Sequence, residues 1–443
     1  MATNKHKGVV FVIWLAISLP LIYSYIRYKK HDINQTTAYD DPGLTGMVLQ
    51  NNKPEFNFKD WFSGYYQSVL SSYWQDHWSL KGLMVRLNNQ LFYEAFNTIR
   101  TKGFVSGLSQ YIFSENYIFS AYGDDCISEA RIAEQMRKAK SVQDSLKAHN
   151  IEMLTVFLPG KGMACKPFIP LKYKHAYKTT NHQVFNSQAQ KLKLNVLDLY
   201  TWFDDINSKV PYPLFPKYGH HWSYYGECLA VDTIIRHLEQ MIHADLPDFS
   251  FKTIELSDTA RERDADVLRS MNLYRLPKQD VTLAYPQIQF ENRPDKNIFP
   301  VLTIGDSYWY GPVYMGIQQY CFGGGSFWYY NNKIVPKPEN ASEAWELDLK
   351  TELLQHKVVM LVYSDANLSD FGNGFIESAY TLFQNPKLFY QYASQQKQLK
   401  SAIQTIRQTP YLLKASTNLS ESKHISLDSA IRIMAHRQLT NTL

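Results

Sequence analysis

The chain has 443 residues, of which 45% are apolar, with 31 Tyr, 24 Phe and 9 Trp. That content allows a substantial core and excludes a disordered or low-complexity chain. The 46 Lys and Arg against 41 Asp and Glu leave a net charge of +5, with no basic block longer than a pair, so no nucleic-acid footprint is indicated.

The first strong signal along the chain is Gly8 to Ile26, GVVFVIWLAISLPLIYSYI, which carries no charge. At helical rise it spans about 28 Å, close to the hydrocarbon thickness of a bilayer. Tyr23, Tyr25 and Ile26 stand where a cleavage site would need small residues, so residues 8–26 are expected to be a retained transmembrane signal anchor after a short segment, 1–7. Lys5 and Lys7 precede it, and Arg27, Lys29 and Lys30 follow, which leaves its orientation open. Residues 27–55 are polar, turn at Pro42-Gly43, and read as a linker. Phe58, Trp61, Phe62, Tyr65, Tyr66, Val69 and Tyr73 then recur at helical spacing. Because the opposite face lacks Lys/Arg enrichment, this aromatic face is expected against the globular core rather than on a membrane.

From Ser128 onward, helical and strand patterns alternate as in a parallel sheet with crossover helices. Strands are expected at 151–158, 195–200, 301–304, around 327–330, and at 357–363, giving an α/β sheet of about five parallel strands flanked by helices. Ser223 is the expected N-cap of a long amphipathic helix running to Ile242. Residues 245–297 fit the alternation poorly and are read as an insertion, with a charged helix over 256–273 and a hairpin or edge strand over 281–292. The main domain is drawn at 56–370, and 371–443 as a C-terminal helical appendage.

Two stretches carry chemistry. Val301-Leu302-Thr303-Ile304 reads as a buried strand, and Gly305-Asp306-Ser307 follows where the chain must turn. Such a turn can hold a serine hydroxyl above the carboxyl edge of a sheet, beside backbone N–H groups, as acyl transfer requires. The second stretch is LFPKYGHHWSYYG, residues 214–226, which offers His220 and His221 as bases just ahead of a helix. Asp306 is expected to tie its turn together rather than to orient a distant ring.

Together these segments resemble the AlgX/AlgJ-like polysaccharide O-acetyltransferases of the SGNH (GDSL-type) hydrolase superfamily, in which a His-Trp motif precedes the Gly-Asp-Ser turn. The resemblance implies an SGNH-hydrolase-like fold, Ser307 as nucleophile and His221, the histidine before Trp222, as its base; His220 is the competing histidine. Many relatives carry an aspartate two residues before the histidine, whereas this chain has Gly219. A backbone carbonyl, a carboxylate such as Asp204, Asp205 or Asp365, or a dyad without an acid are the open alternatives. The Ser307 N–H is an expected oxyanion donor, and Gly324, within the run 323–325, a possible second. Trp222, Tyr308 and Trp309 are possible glycan-stacking faces if exposed. The resemblance further implies a polysaccharide acceptor, a membrane-bound O-acyltransferase (MBOAT) partner as acetyl donor, and a single-pass protein of the inner membrane with its catalytic body in the periplasm. A carbohydrate esterase using the same serine and histidine, and a non-catalytic polysaccharide-binding or assembly subunit, are the alternatives.

No cofactor or metal is expected. His220 and His221 have neither a companion at i+4 spacing nor a Cys-x-x-Cys pair, and no Walker or Rossmann phosphate loop follows a strand. Cys126, Cys165, Cys228 and Cys321 are dispersed and expected to be free thiols.

Overall fold

Val358–Ser364 reads VVMLVYS and is buried at every residue, the pattern of a strand covered on both faces. Its side chains alternate, as the pleat requires: Val358, Met360 and Val362 enter one core, and Val359, Leu361 and Tyr363 the other. The computed structural model, which describes residues 44–45, 52–77, 80–278, 280–291, 296–339, 341, 343–423 and 427–440, builds the molecule around this strand.

In chain order the strands are β1 (Phe104–Ser106), β2 (Ile112–Ser114), β3 (Glu152–Leu158), β4 (Val196–Asp198), β5 (Phe249–Ser257), β6 (Leu283–Phe290), β7 (Val301–Gly305), β8 (Phe327–Tyr329), β9 (Lys333–Val335) and β10 (Val358–Ser364). Six form one sheet in the order β4-β3-β10-β7-β8-β9. β4, β3, β10, β7 and β8 run parallel and are the five expected strands. β9 adds an antiparallel edge, so the sheet is mixed. β9 opens on the exposed Lys333 and buries only Ile334, too little apolar pattern to announce a strand.

Helices cover both faces. Glu129–Ala148, Asn181–Leu192 and Phe375–Gln384 bury Ile132, Met136, Phe185, Phe375 and Ile376 against one, and Tyr224–Ile242 buries Val231, Ile234 and Leu238 against the other. Ser223 caps the last of these as expected, its Oγ accepting from the Gly226 N–H at 3.0 Å. Phe375–Gln384 thus belongs to the main core. The helices beyond it, Pro386–Gln408, Pro410–Lys423 and Leu427–Thr440, share a small core of their own around Ile406, Ile431 and Ala435.

Several expectations change. The span at 8–26, the segment 1–7 and most of the linker 27–55 lie outside the described residues; among the described residues no helix is long and apolar enough to cross a membrane. The aromatic face at 58–73 does not pack into the core: Phe58 is 71% exposed, Phe62 83% and Tyr65 52%. In the insertion, β5 and β6 form an antiparallel ribbon, which meets the hairpin expectation at 281–292. The charged stretch before it holds only a short 3-10 turn, Glu262–Ala265, and one turn of helix, Asp266–Ser270. Ala265, Val267, Leu268 and Met271 anchor that segment on Tyr93, Ile112 and Tyr218. The four cysteines are free.

Candidate active site

The Gly-Asp-Ser turn leaves the carboxyl end of β7, the edge of a parallel sheet where ligands gather. Asp306 secures it. Its carboxylate accepts from the Tyr308 N–H (3.0 Å), the Ser364 N–H (2.8 Å), the Ser364 hydroxyl (2.6 Å) and the Asn367 amide (2.8 Å). Four donors on one fully buried carboxylate bind the turn to the end of β10, the tie expected of Asp306. Ser307 then opens the 3-10 turn Ser307–Trp309, in which Asp306 accepts the next two amides, Tyr308 N–H on its carboxylate and Trp309 N–H on its carbonyl at 3.3 Å.

The histidine loop is held with equal care. Lys161, wholly buried just after β3, donates from Nζ to the carbonyls of Lys217 (2.8 Å) and Gly219 (2.7 Å). Burial pushes its pKa down to about 8, partly offset by Cys165, Asp266 and Asp264. The Ile112 N–H also donates to the Lys217 carbonyl, and the Lys217 ammonium pairs with Asp280 at 2.9 Å. A loop fixed at 217 and 219 and capped at Ser223 leaves the residues between them little freedom.

Thus held, His221 meets both neighbours. Its Nε2 is 2.8 Å from Ser307 Oγ, and its Nδ1 is 2.8 Å from Asp266 Oδ2. With Nδ1–H donating to the carboxylate, Nε2 accepts the serine proton, the tautomer a general base needs. Asp266 Oδ1 accepts the N–H of His220 (2.9 Å) and of Val267 (2.6 Å). Burial works to raise the Asp266 pKa, but the His221 hydrogen bond and charge outweigh it and hold the carboxyl below its usual range. It is therefore ionised wherever the imidazole needs it.

Asp266 was not among the candidate acids. Asp204 and Asp205 are exposed on Leu199–Ile206, and Asp365 is buried at the end of β10, where it accepts from the Ala366 N–H at 2.7 Å. Gly219 explains the substitution: a Cβ there would lie 2.6 Å from Pro216 and 2.9 Å from the carbonyls of both Arg263 and Asp264. The insertion backbone fills the space a side chain would take, and the same segment delivers a carboxylate three residues later. The sequence signal was Asp264-x-Asp266 in the charged stretch expected to be helical, and Asp264 has its own task, accepting the Tyr224 N–H at the start of the long helix at 3.0 Å.

His220 is the wall beside this array. Its ring is packed edge-on against Tyr117 (4.6 Å between centroids) and His221 (4.8 Å), and burial together with the charge of His221 pushes its pKa down to about 3. It is neutral at ordinary pH and does not reach Ser307. Arg263 lies beneath the serine turn, paired with the buried Glu227 at 3.0 Å and reaching the Tyr308 carbonyl at 3.3 Å.

Two expectations fail on position. Gly324 precedes β8, at the opposite end of the sheet from Ser307; its N–H already donates to the Gln318 carbonyl at 3.2 Å, so it is no oxyanion donor. Trp222, Tyr308 and Trp309 are 1%, 0% and 0% exposed and cannot offer a face to a sugar. Their rings pack the core around the site; Trp222 and Tyr308, for example, meet edge-on at 5.1 Å. No group of three or more His, Cys, Asp or Glu that could hold a metal occurs among the described residues.

Residues 106–308 match the family model described as SGNH hydrolase-like domain, acetyltransferase AlgX, a segment that takes in His221, Asp266 and Ser307. Solved structures similar to the chain include the O-acetyltransferase domain of Pseudomonas putida AlgJ, at 15% identity over 63% of this chain and 99% of that one, with a TM-score of 0.42. Pseudomonas aeruginosa AlgX is similar at 14% identity over 65% and 68%, with a TM-score of 0.43. Bacillus cereus PatB1 is similar at 16% identity over 56% and 93%, with a TM-score of 0.36. No curated protein matches the chain.

Proposed function

We propose that the chain, whose residues 106–308 match the SGNH hydrolase-like, acetyltransferase AlgX family model, is an O-acetyltransferase that acylates Ser307 and passes the acetyl group to a hydroxyl of a polysaccharide. The observation that carries this reading is the unbroken line Asp266–His221–Ser307, with 2.8 Å at each junction.

In the first half-reaction Ser307 Oγ attacks the acetyl carbonyl as its proton passes to His221 Nε2. The imidazolium is stabilised by Asp266, and the Ser307 N–H faces the developing oxyanion. Collapse of the tetrahedral intermediate breaks the bond to the leaving group, which takes the proton from Nε2 and leaves an acetyl ester on Ser307. In the second half a sugar hydroxyl gives its proton to Nε2 and attacks the ester carbonyl. The bond to Ser307 Oγ then breaks, and the serine recovers the proton.

In the same proposal the apolar run at 8–26 anchors the protein in the inner membrane with its body in the periplasm, and an MBOAT partner supplies the acetyl group. The run's length and lack of charge support the anchor, and the family resemblance supports the compartment and the donor.

The test incubates the full chain in detergent with p-nitrophenyl acetate, follows intact mass and maps the label. One acetyl group on Ser307, absent in Ser307→Ala and discharged faster by an oligosaccharide than by water, is the expected result. Discharge by water at a rate indifferent to sugar identifies an esterase. No Ser307-dependent labelling overturns the catalytic reading and leaves a binding or assembly subunit.

A further inference from the structure

Tyr330 and Asn331 both adopt positive φ, at 50° each, and the Asn332 N–H donates to the Tyr329 carbonyl at 3.0 Å, closing the tight turn that joins β8 to the antiparallel β9. The Tyr330 N–H donates to the Gly305 carbonyl at 2.8 Å, and Asn331 Nδ2 donates to the Asn373 carbonyl at 3.2 Å. The turn leads the chain from the carboxyl end of β8 into the wall of a cleft of about 500 Å³. The other walls are the segment around Trp345, the N-terminal part of Phe375–Gln384 and the long helix Pro386–Gln408.

The lining brings together aromatic rings, neutral polar groups and the charged Glu377, Lys397 and Lys400. Tyr330, Trp345, Phe389 and Tyr392 bring aromatic rings, with Tyr392 54% exposed and the Lys400 ammonium 5.0 Å from the centre of the Trp345 ring. Asn331, Asn332, Ser378 and Gln396 bring amides and a hydroxyl. Rings that accept the apolar C–H face of a ring, interleaved with neutral groups that both donate and accept, suit a ligand that is apolar on its faces and rich in hydroxyls at its rim. A sugar chain has that character. The volume lies within the range of sites that enclose small ligands.

The cleft also adjoins the nucleophile turn. Tyr330, in its wall, is bonded through its N–H to the residue before Asp306, and its hydroxyl lies 3.5 Å from Asn367 Oδ1, whose amide donates to Asp306. The cleft reaches the carboxyl edge of the sheet at Tyr330, while its apolar wall, Trp328 and Phe375, belongs to the core on the face opposite the helix that follows His221.

We infer that this cleft, closed on one side by the C-terminal helices, is a binding subsite for an oligosaccharide segment of the acceptor. The inference rests on the acetyl-transfer reading for its choice of ligand. It gives the helices beyond residue 385 a function, that of holding the acceptor chain beside Ser307.

The test uses full-length Ser307→Ala, which cannot turn over, titrated with cellotetraose, chitotetraose and tetramannuronate and read by calorimetry and tryptophan fluorescence. Saturable binding of at least one tetrasaccharide is expected, weakened tenfold or more by Tyr392→Ala and by Trp345→Ala. Tyr392 is largely exposed, so its replacement keeps the test valid if Trp345→Ala does not fold. No saturable binding of any of the three, or binding that neither substitution weakens, overturns the subsite. The same substitutions in the active chain are expected to leave acetylation of Ser307 by p-nitrophenyl acetate unchanged. Failure of the parent chain to acetylate at all would count against the transferase reading, separately from the binding result.

Discussion

The two ends of β7 are built differently. At its amino end the contacts are between backbones and neutral groups: a Cβ on Gly325 would lie 2.1 Å from the Val301 carbonyl, and the buried Gln318 amide donates to that same carbonyl at 2.9 Å. At its carboxyl end Asp306, His221, Asp266, Lys161 and Asp365 gather from separate parts of the chain, buried or half-buried and ionisable. The first arrangement contributes packing and little chemistry. The second holds charged groups in low dielectric, which is costly for folding and useful where a proton must move. One strand thus separates stability from reactivity along its length, and substitutions at its two ends should have opposite signatures.

The sharpest test is Asp266→Asn, which preserves shape and removes the charge behind His221. Acetyl transfer is expected to fall by about 10²- to 10⁴-fold in kcat, with the thermal midpoint nearly unchanged. Steady-state kinetics beside a melting curve would show it, and a loss below tenfold would mean that serine and histidine work as a dyad. Gly325→Ala should do the reverse, destabilising by about 1–3 kcal/mol through overpacking against β7 while kcat per folded molecule is preserved. Denaturant midpoints and active-site titration separate the two quantities.

Lys161→Met probes the support of the histidine loop. Two carbonyls lose a charge-assisted donor while a buried charge is relieved, so stability should change little and kcat should fall roughly tenfold as His221 loses its alignment. An unchanged kcat would assign the loop's geometry to Ser223, Ile112 and the insertion instead.

Asp365 gives the smallest effect. Burial raises its pKa to about 8, so the folded chain keeps a proton that the unfolded chain releases near 3.8. Its contribution to stability is complete below the unfolded value and is lost as pH rises through about 8. Asp365→Asn should therefore gain in melting temperature relative to the parent as pH rises, by about 2 °C or more between about pH 5 and about pH 9. A constant difference across that range would show that Asp365 ionises normally in the fold.

The sheet was legible because its strands are short apolar runs flanked by turns, and because Glu129–Ala148 and Tyr224–Ile242 repeat apolar residues at helical spacing. Ser307 and His221 were legible for another reason: each lies in a local motif of a few residues, and the resemblance supplied their pairing. Asp266 was not, because no local pattern marks a carboxylate whose partner lies 45 residues earlier in sequence. Gly324 was misread for the same reason in reverse, since a glycine run says that the backbone comes close to something but not to what. Trp222, Tyr308 and Trp309 were possible platforms in the sequence and are core in the fold, because aromatic content does not report burial.

By itself, then, the sequence determined the parallel α/β architecture, the serine turn after β7 and the histidine loop before a capped helix, all of them consequences of short-range periodicity and turn chemistry. The tertiary structure alone decided which acid holds His221, that His220 is neutral packing, that Gly324 belongs to the far end of the sheet, and that the C-terminal helices close a cleft beside the nucleophile turn. Each of those depends on chain segments meeting across long separations, where the space left by one backbone, as at Gly219, determines what another can place there.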